Sequence, residues 1–191
     1  MMYHIGHYVG RAFMSVTGWK VEGEIPTAER TVIIAAPHTS NWDFVYLLAA
    51  AMVLKVRICW LGKKELFRAP FGGVMRALGG IAVDRSQSTD LVRQVAEHLH
   101  AQAPISVVVP PSGTRSKAKH WRTGFYHIAQ AADAQIICGY LDYRRKVAGL
   151  GYRFTPTDDI SADMEPLREF YAPITARFPE YLTPVRLKEE D

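Results

Sequence analysis

Short apolar runs rich in β-branched residues alternate along the chain with stretches whose apolar residues recur every three or four positions. The first run, residues 31–36, has the sequence Thr-Val-Ile-Ile-Ala-Ala and stops at Pro37. Runs of this kind are typical of strands buried on both faces, and a residue before a proline favours extended geometry. Further runs predict strands at residues 57–61, 81–83, 105–109, 135–142 and 152–155.

The stretches between these runs have helical spacing. They span residues 42–54, 64–78, 89–103 and 124–132. Strands that alternate with helices predict an α/β fold with a mixed, largely parallel sheet flanked by helices. The chain has 191 residues, 48% of them hydrophobic, which is enough for one sizeable core. We therefore predict a single domain over residues 1–191, with a charged tail at residues 187–191 that frays.

The opening segment, residues 1–19, predicts an N-terminal amphipathic helix. Ile5, Val9, Phe13 and Val16 form one apolar stripe at helical spacing. Such a stripe either docks on the core of the protein or lies in a membrane interface, and both interpretations stay open. No apolar stretch reaches the roughly 20 residues of a membrane-spanning helix, and no apolar signal-peptide region is expected at the start.

Charge and cysteine content narrow the class of protein only slightly. A net charge of +4 suits an anionic membrane surface, a phosphate-bearing substrate or a nucleic acid. No recognised nucleic-acid-binding motif accompanies the basic residues, so we expect no nucleic-acid partner. Cys59 and Cys138 each lie in an apolar run, which predicts buried, reduced thiols and a cytoplasmic compartment.

Four polar segments lie at predicted strand ends or loops, where open α/β sheets usually place their sites. The first contains His38 and Asp43, with four residues between them. A histidine can take a proton from a hydroxyl near neutral pH, and a nearby carboxylate can fix its tautomer and stabilise the imidazolium. The same spacing fits a structural histidine at a strand end and an aspartate that favours a helix start, capped by Thr39 or Ser40.

The second and third segments place cations beside apolar residues or at a strand end. Residues 62–73 carry Lys63 and Lys64 around an apolar turn, which suits a lipid phosphate or the phosphates of a thioester carrier. A solvated basic face is the alternative for this segment. Residues 79–85 form a strand that closes on an acid and on Arg85, a pattern that also fits a structural ion pair.

The fourth segment, residues 110–117, follows the most apolar of the predicted strands. Its turn at Ser112, Gly113 and Thr114 can offer backbone N–H groups to an anion. Arg115 can bind a phosphate through two parallel hydrogen bonds. The segment is not a nucleotide-binding P-loop, because the Gly-x4-Gly-Lys-Ser/Thr spacing is missing.

Taken together and in this order, the four segments resemble the glycerolipid acyltransferase family, which includes glycerol-3-phosphate and 1-acylglycerol-3-phosphate acyltransferases. The first is similar to its His-x4-Asp motif and the second to its Lys-x-x-Leu-x-x-x-Pro-x-x-Gly segment. The third is similar to Gly-x-Ile-x-Ile-Asp-Arg and the fourth to Phe-Pro-Glu-Gly-Thr-Arg-Ser. The resemblance covers about residues 33–125. Ser112 stands where the family has Glu, and residues 136–140 stand where it often has a proline-containing apolar motif.

The resemblance implies an O-acyltransferase with His38 as general base and Asp43 as the carboxylate that orients it. It implies a substrate-binding set, in which the cations hold the acceptor's phosphate, made of Lys63, Lys64, Arg85, Ser112, Gly113, Thr114 and Arg115. An acyl-CoA or acyl-carrier-protein donor, a lysophospholipid or glycerol phosphate acceptor and a membrane surface are the implied partners. Neither a metal nor a cofactor is expected.

We expect a peripheral enzyme on the inner, cytoplasmic face of the cell membrane. His38 deprotonates the acceptor hydroxyl, and backbone N–H groups near a helix start stabilise the oxyanion that follows. The alternative is a catalytically weakened relative with the same fold, which binds lipid or docks on a membrane without turnover. Ser112, in place of the family's Glu, would be the trace of that loss.

Overall fold

The computed structural model describes residues 2–83, 88–157 and 159–190, which form an α/β fold with one mixed sheet flanked by helices. The six α-helices of these residues are α1 (Met2–Thr17), α2 (Trp42–Leu54), α3 (Gly72–Ala77), α4 (Ser88–Gln102), α5 (Gly124–Ala131) and α6 (Ile160–Tyr171). Their seven strands are β1 (Lys20–Glu22), β2 (Arg30–Ala35), β3 (Ile58–Lys63), β4 (Gly80–Val83), β5 (Ile105–Val109), β6 (Gln135–Asp142) and β7 (Val147–Phe154).

The sheet has the strand order β1-β7-β6-β2-β5-β3-β4. Strands β2 to β6 are parallel to one another, whereas β7 runs antiparallel to β6 and β1 runs parallel to β7. The ends of β2, β3, β4, β5 and β6 therefore meet at one edge, here called the carboxyl edge. The four segments of the sequence analysis, as far as the structure describes them, lie at or directly after the ends of β2, β3, β4 and β5. The predicted α/β class and largely parallel sheet are confirmed.

The main core lies between the central strands and the helices that cover them. Val32, Val107 and Ile136 of β2, β5 and β6 are fully buried, together with Phe125 of α5 and Leu167 of α6. Burial of a large aliphatic side chain contributes about 1.5–3 kcal/mol, so these strands are the most strongly anchored part of the sheet. The loops at the carboxyl edge are consequently attached to the most firmly packed strands.

Three stretches differ from the sequence predictions. The helix expected over residues 64–78 is instead a 3₁₀ turn at Lys64–Phe67 followed by α3, because Pro70 lacks an N–H and disfavours helical geometry in the residue before it. Strand β1 and helix α6 were not predicted. Helix α6 contains Pro166 and begins where the Asp159 side chain accepts the N–H of Ala162 at 3.0 Å.

The predicted N-terminal helix is present, and of the predicted stripe only Phe13 packs against the core, while most of the docking uses the neighbouring face. Gly10 faces α2 so closely that a Cβ would lie 2.8 Å from a backbone oxygen of that helix, and Met14 is buried beside it. Ile5, Val9 and Val16 remain 60%, 57% and 89% exposed. Within the described part of the chain, no helix is long and apolar enough to cross a membrane.

Residues 187–190, which we expected to fray, pack against the body of the protein. Leu187 is 1% exposed and belongs to the main core. Glu190 forms an ion pair with Arg168 of α6. An apolar anchor and a charge pair thus hold this stretch in place.

Cys59 and Cys138 are free, buried thiols, as the sequence predicts. Burial raises the pKa of each thiol to about 12. Both side chains therefore stay protonated at neutral pH and serve as small apolar core residues.

Candidate active site

His38 and Asp43 face each other where β2 gives way to α2. The imidazole Nδ1 lies 3.3 Å from Asp43 Oδ2, and the two side chains are 20% and 5% exposed. This pair is called the dyad below. An Nδ1–H directed at the carboxylate leaves Nε2 as the nitrogen that can accept a proton from a substrate.

The Asp43 carboxylate is held by hydrogen bonds from three sides. Its Oδ2 accepts the backbone N–H groups of Thr39 and Ser40, each at 2.8 Å. Its Oδ1 accepts the hydroxyl of Tyr143 at 2.6 Å. The carboxylate in the first turn of α2 therefore folds back over the loop that carries His38.

These bonds decide the charge state of Asp43. Burial alone raises the pKa of the carboxyl, but the hydrogen bonds from His38, Tyr143, Ser40 and Thr39 outweigh it and lower the pKa below its usual value of 3.8. Asp43 is consequently a carboxylate at neutral pH. That form accepts an imidazole N–H and stabilises an imidazolium.

Of the two residues expected to cap α2, Ser40 uses its hydroxyl at the helix start, whereas the Thr39 hydroxyl accepts the N–H of Phe178. Asn41 occupies the N-cap position without a side-chain hydrogen bond to the helix. The Ser40 hydroxyl accepts the N–H of Trp42 at 3.2 Å, and Asp43 takes the N–H groups of Thr39 and Ser40. Because these donors are already engaged, they are not open to an oxyanion.

Tyr143 is a site residue that sequence reasoning missed. It follows β6, which pairs with β2 so that Gly139 lies opposite Ala35, and this register brings the ends of both strands together. Burial, and then the neighbouring Asp43, raise the pKa of Tyr143, so its phenol remains a neutral donor. An aromatic hydroxyl directly after a parallel strand at the carboxyl edge was the available signal, but the sequence does not reveal the strand pairing.

The predicted substrate-binding cations lie on the other side of the dyad. β5 pairs with β2, and β3 pairs with β5. Arg115 follows β5, whereas Lys63 ends β3 and Lys64 follows it, and all three are exposed. Arg85 lies outside the described residues.

The turn after β5 has the compact form that its sequence predicts. Gly113 has a φ of 65°, and a Cβ there would lie 3.1 Å from the guanidinium of Arg122. The Ser112 hydroxyl donates to the carbonyl of Thr114 at 2.8 Å. The Ser112 hydroxyl is therefore engaged within the turn, at the position where the motif that this segment resembles has a glutamate.

A largely apolar cavity of about 300 Å³ opens beside His38 and Ser112. Tyr171 and Ile174 line one wall, and Lys63, Lys64 and Arg115 do not line it. Arg168 also lines the cavity, but its charge is paired with Glu165 and Glu190. The lining therefore suits a hydrocarbon better than a phosphate.

Residues 174–187, called the C-terminal segment here, cross the carboxyl edge and form another wall of this cavity. The Phe178 N–H donates to the Thr39 hydroxyl at 3.2 Å, beside the dyad. The Thr183 hydroxyl accepts the N–H of Ala118 at 3.0 Å, and the carbonyl of Arg186 accepts an N–H from the loop before α5 at 2.8 Å. The sequence analysis assigned no role to this segment.

Within residues 2–83, 88–157 and 159–190, no three His, Cys, Asp or Glu side chains are grouped so as to hold a metal ion.

The sequence matches the family model described as Acyltransferase over residues 18–141. The chain belongs to the acyltransferase family. The matched stretch contains the dyad and the turn after β5, which is where the geometry places the candidate chemistry. Tyr143 and the C-terminal segment lie beyond the stretch that this acyltransferase model covers.

Three curated acyltransferases are similar to the chain, and each is named 1-acyl-sn-glycerol-3-phosphate acyltransferase. The protein from Haemophilus influenzae is 28% identical over 70% of this chain and 58% of its own length. Those from Helicobacter pylori and Streptococcus pneumoniae are 33% and 27% identical, over 55% and 62% of this chain and 44% and 47% of their own lengths. The chain thus spans about half the length of these relatives, and no solved structure matches it.

Proposed function

We propose that the chain is an O-acyltransferase that moves a fatty acyl group from acyl-CoA or acyl-carrier protein to a hydroxyl of a lysophospholipid or glycerol phosphate. The observation that carries the proposal is the dyad, a partly exposed imidazole against a buried, ionised carboxylate. Membership of the acyltransferase family and the names of three similar proteins support the same reaction.

In this mechanism Nε2 of His38 takes the proton of the acceptor hydroxyl while the oxygen attacks the thioester carbonyl. Asp43 holds the imidazole through Nδ1 and stabilises the imidazolium. The tetrahedral intermediate then collapses, the carbon–sulfur bond breaks, and the leaving thiolate receives the proton from the imidazolium. No covalent enzyme intermediate is required.

The donors for the oxyanion come in this proposal from the turn after β5. Among the described residues no acceptor takes the backbone N–H groups of Thr114 and Arg115. The turn shares the cavity with His38 through Ser112. Backbone donors that are fixed before the reaction stabilise developing charge without reorganisation.

The two parts of a lipid substrate separate by polarity in this proposal. The acceptor phosphate is held by the exposed cations Lys63, Lys64, Arg85 and Arg115. The arginine that lines the cavity, Arg168, is already paired with two glutamates. The cavity beside His38 takes a hydrocarbon chain. Its volume of about 300 Å³ is roughly twice that of a cavity that binds benzene, so it accommodates about a dozen carbons.

We further propose that the protein works at a membrane surface, peripherally on the cytoplasmic face. The support is the apolar stripe of α1, in which Ile5, Val9 and Val16 are exposed while the neighbouring face is docked. An exposed apolar stripe on a firmly held helix is suited to insertion among lipid headgroups.

The deciding experiment is transfer of radiolabelled acyl groups from acyl-CoA and acyl-carrier protein to glycerol 3-phosphate, lysophosphatidic acid and other lysolipids. His38→Ala should lower the rate by about 10²–10⁴, because it removes the general base. His100→Ala is the matched control, since His100 is exposed on α4. Wild-type turnover in His38→Ala would contradict the mechanism.

One observation favours the second candidate, lipid binding without turnover. Ser112 stands where the family has a carboxylate, and its hydroxyl is engaged within its own turn. If the wild type binds lysolipid vesicles without acyl transfer from either donor, and Ser112→Glu restores transfer, the chain is a weakened relative. Transfer by the wild type that His38→Ala abolishes rejects this candidate.

A further inference from the structure

An exposed arginine, Arg177, lies beside the dyad in an aromatic setting. It precedes Phe178, whose N–H is bonded to Thr39 next to His38. Its guanidinium carbon lies 5.7, 5.8 and 5.6 Å from the ring centres of Trp42, Tyr143 and Phe178. The rings attract the cation and favour this position, since each lies within the roughly 6 Å over which such contacts act.

Arg177 also forms a side-chain hydrogen bond with the Tyr143 hydroxyl, which engages part of the guanidinium. Arginine has five N–H donors in the plane of the group, so donors remain for a ligand. Arg145 and Arg168 are paired with glutamates, whereas no carboxylate of the described residues forms an ion pair with Arg177. A pre-oriented fork without a carboxylate partner is the arrangement that binds phosphate through two parallel hydrogen bonds.

The position of Arg177 separates it from the cations of the four segments. Lys63 ends β3, Lys64 follows it and Arg115 follows β5, on one side of β2, whereas Arg177 lies against Tyr143 after β6, on the other side. Arg177 also lies beyond the stretch that matches the family model. The dyad therefore has a cationic group on each side, and both substrates of the proposed reaction carry phosphate.

We propose that Arg177 is a phosphate-binding residue of this site. It holds a phosphate ester of one substrate through two parallel hydrogen bonds, while the rings of Trp42, Tyr143 and Phe178 and the hydrogen bond to the Tyr143 hydroxyl hold it in position. The phosphate belongs either to the donor's carrier arm or to the acceptor. This inference rests on the proposed function for its reaction, but not for its binding measurement.

The test is isothermal titration of the wild type with coenzyme A and with glycerol 3-phosphate, neither of which requires turnover. Arg177→Gln should weaken the binding of one of them by about tenfold to a hundredfold, as expected for a lost charge-assisted pair. Weaker binding of coenzyme A would identify the phosphate as the donor's. Weaker binding of glycerol 3-phosphate would identify it as the acceptor's. Arg177→Lys should recover part of the loss, because it keeps the charge without the fork.

Arg57→Gln is the matched control, because Arg57 is exposed at the amino end of β3, at the opposite edge of the sheet. It should bind both probes as the wild type does. In kinetics, Arg177→Gln should raise the KM of acyl-CoA or of the phosphorylated acceptor and leave transfer from acyl-pantetheine to monoacylglycerol, which lack phosphate, unchanged.

Unchanged dissociation constants in Arg177→Gln, or a wild type that binds neither probe, would overturn the assignment. So would a fall in kcat alone with both donors, since Arg177 would then act only through Tyr143. Absence of acyl transfer by the wild type would reject the proposed function, and the titrations would still decide whether Arg177 binds phosphate.

Discussion

The dyad and the cations proposed to hold the acceptor lie at one edge of the sheet but are built in opposite ways. Asp43 is 5% exposed and hydrogen-bonded on both oxygens. Lys63, Lys64 and Arg115 are exposed on turns. A buried, satisfied network is fixed before any substrate arrives, whereas charges in water interact weakly until a ligand excludes the water. The proposed base is therefore preorganised, whereas the cations proposed to bind phosphate become ordered only in the complex.

The largest effect is expected from Asp43→Asn, which disrupts the buried dyad. The amide can no longer select the Nδ1–H tautomer or stabilise the imidazolium, so acyl transfer should fall by about 10²–10⁴. Its NH₂ group would also face backbone donors, which should lower the free energy of unfolding by about 1–3 kcal/mol in urea titration. Asp133→Asn is the control, since the Asp133 side chain is 88% exposed. Near-normal transfer in a folded Asp43→Asn would reduce Asp43 to a structural role.

A smaller effect is expected from Arg115→Gln, which removes one of the exposed cations. The KM of a phosphorylated acceptor should rise by about tenfold to a hundredfold with little change in kcat, because an ion pair to the substrate is lost. The difference from the wild type should shrink as salt rises, since exposed charges are screened. Arg57→Gln serves as the control again. An unchanged KM would remove Arg115 from the acceptor site.

The smallest effect on rate is expected from Tyr143→Phe, which removes one donor from Asp43 and leaves the others. Transfer should fall by about threefold to tenfold. Tyr140→Phe is matched, because Tyr140 lies on β6 and also donates to a carboxylate, Glu22, at 3.0 Å. It should leave transfer unchanged. Equal losses in both variants would mean that the Tyr143 hydroxyl has no special relation to the dyad.

The loss of stability in Tyr143→Phe should also depend on pH, because the variant changes the pKa of Asp43. Since the folded pKa of Asp43 lies below its usual value of 3.8, the carboxylate stabilises the fold above that pH and loses this contribution as pH falls through the folded pKa. Tyr143→Phe raises the folded pKa. The stability gap between wild type and variant should therefore be largest near neutral pH and narrow below about pH 4. A gap that does not change with pH would place the effect in packing.

The position of the dyad could be predicted from the sequence because local patterns determine it. A β-branched run that ends at Pro37 predicts β2, and an apolar run from Trp42 predicts α2, so His38 must lie where a strand ends. The parallel alternation then places the other three segments at the same edge. What was predicted from periodicity and from proline was mostly correct, except where Pro70 divides the helix expected over residues 64–78.

The partners of the dyad were out of reach because they depend on contacts between distant parts of the chain. Tyr143 meets Asp43 only through the register of β6 on β2, and Phe178 meets Thr39 across 139 residues. Neither has a local pattern. The engaged N–H groups of Thr39 and Ser40 were also unforeseen, since a spacing does not show which way a carboxylate folds.

The C-terminal segment also sets the order in which the site can be assembled. His38 and Asp43 leave the ribosome well before Tyr143, and the segment that bonds to Tyr143 and Thr39 is synthesised after every other part of the site. A growing chain therefore carries the dyad before the segment that completes the cavity beside it has been synthesised.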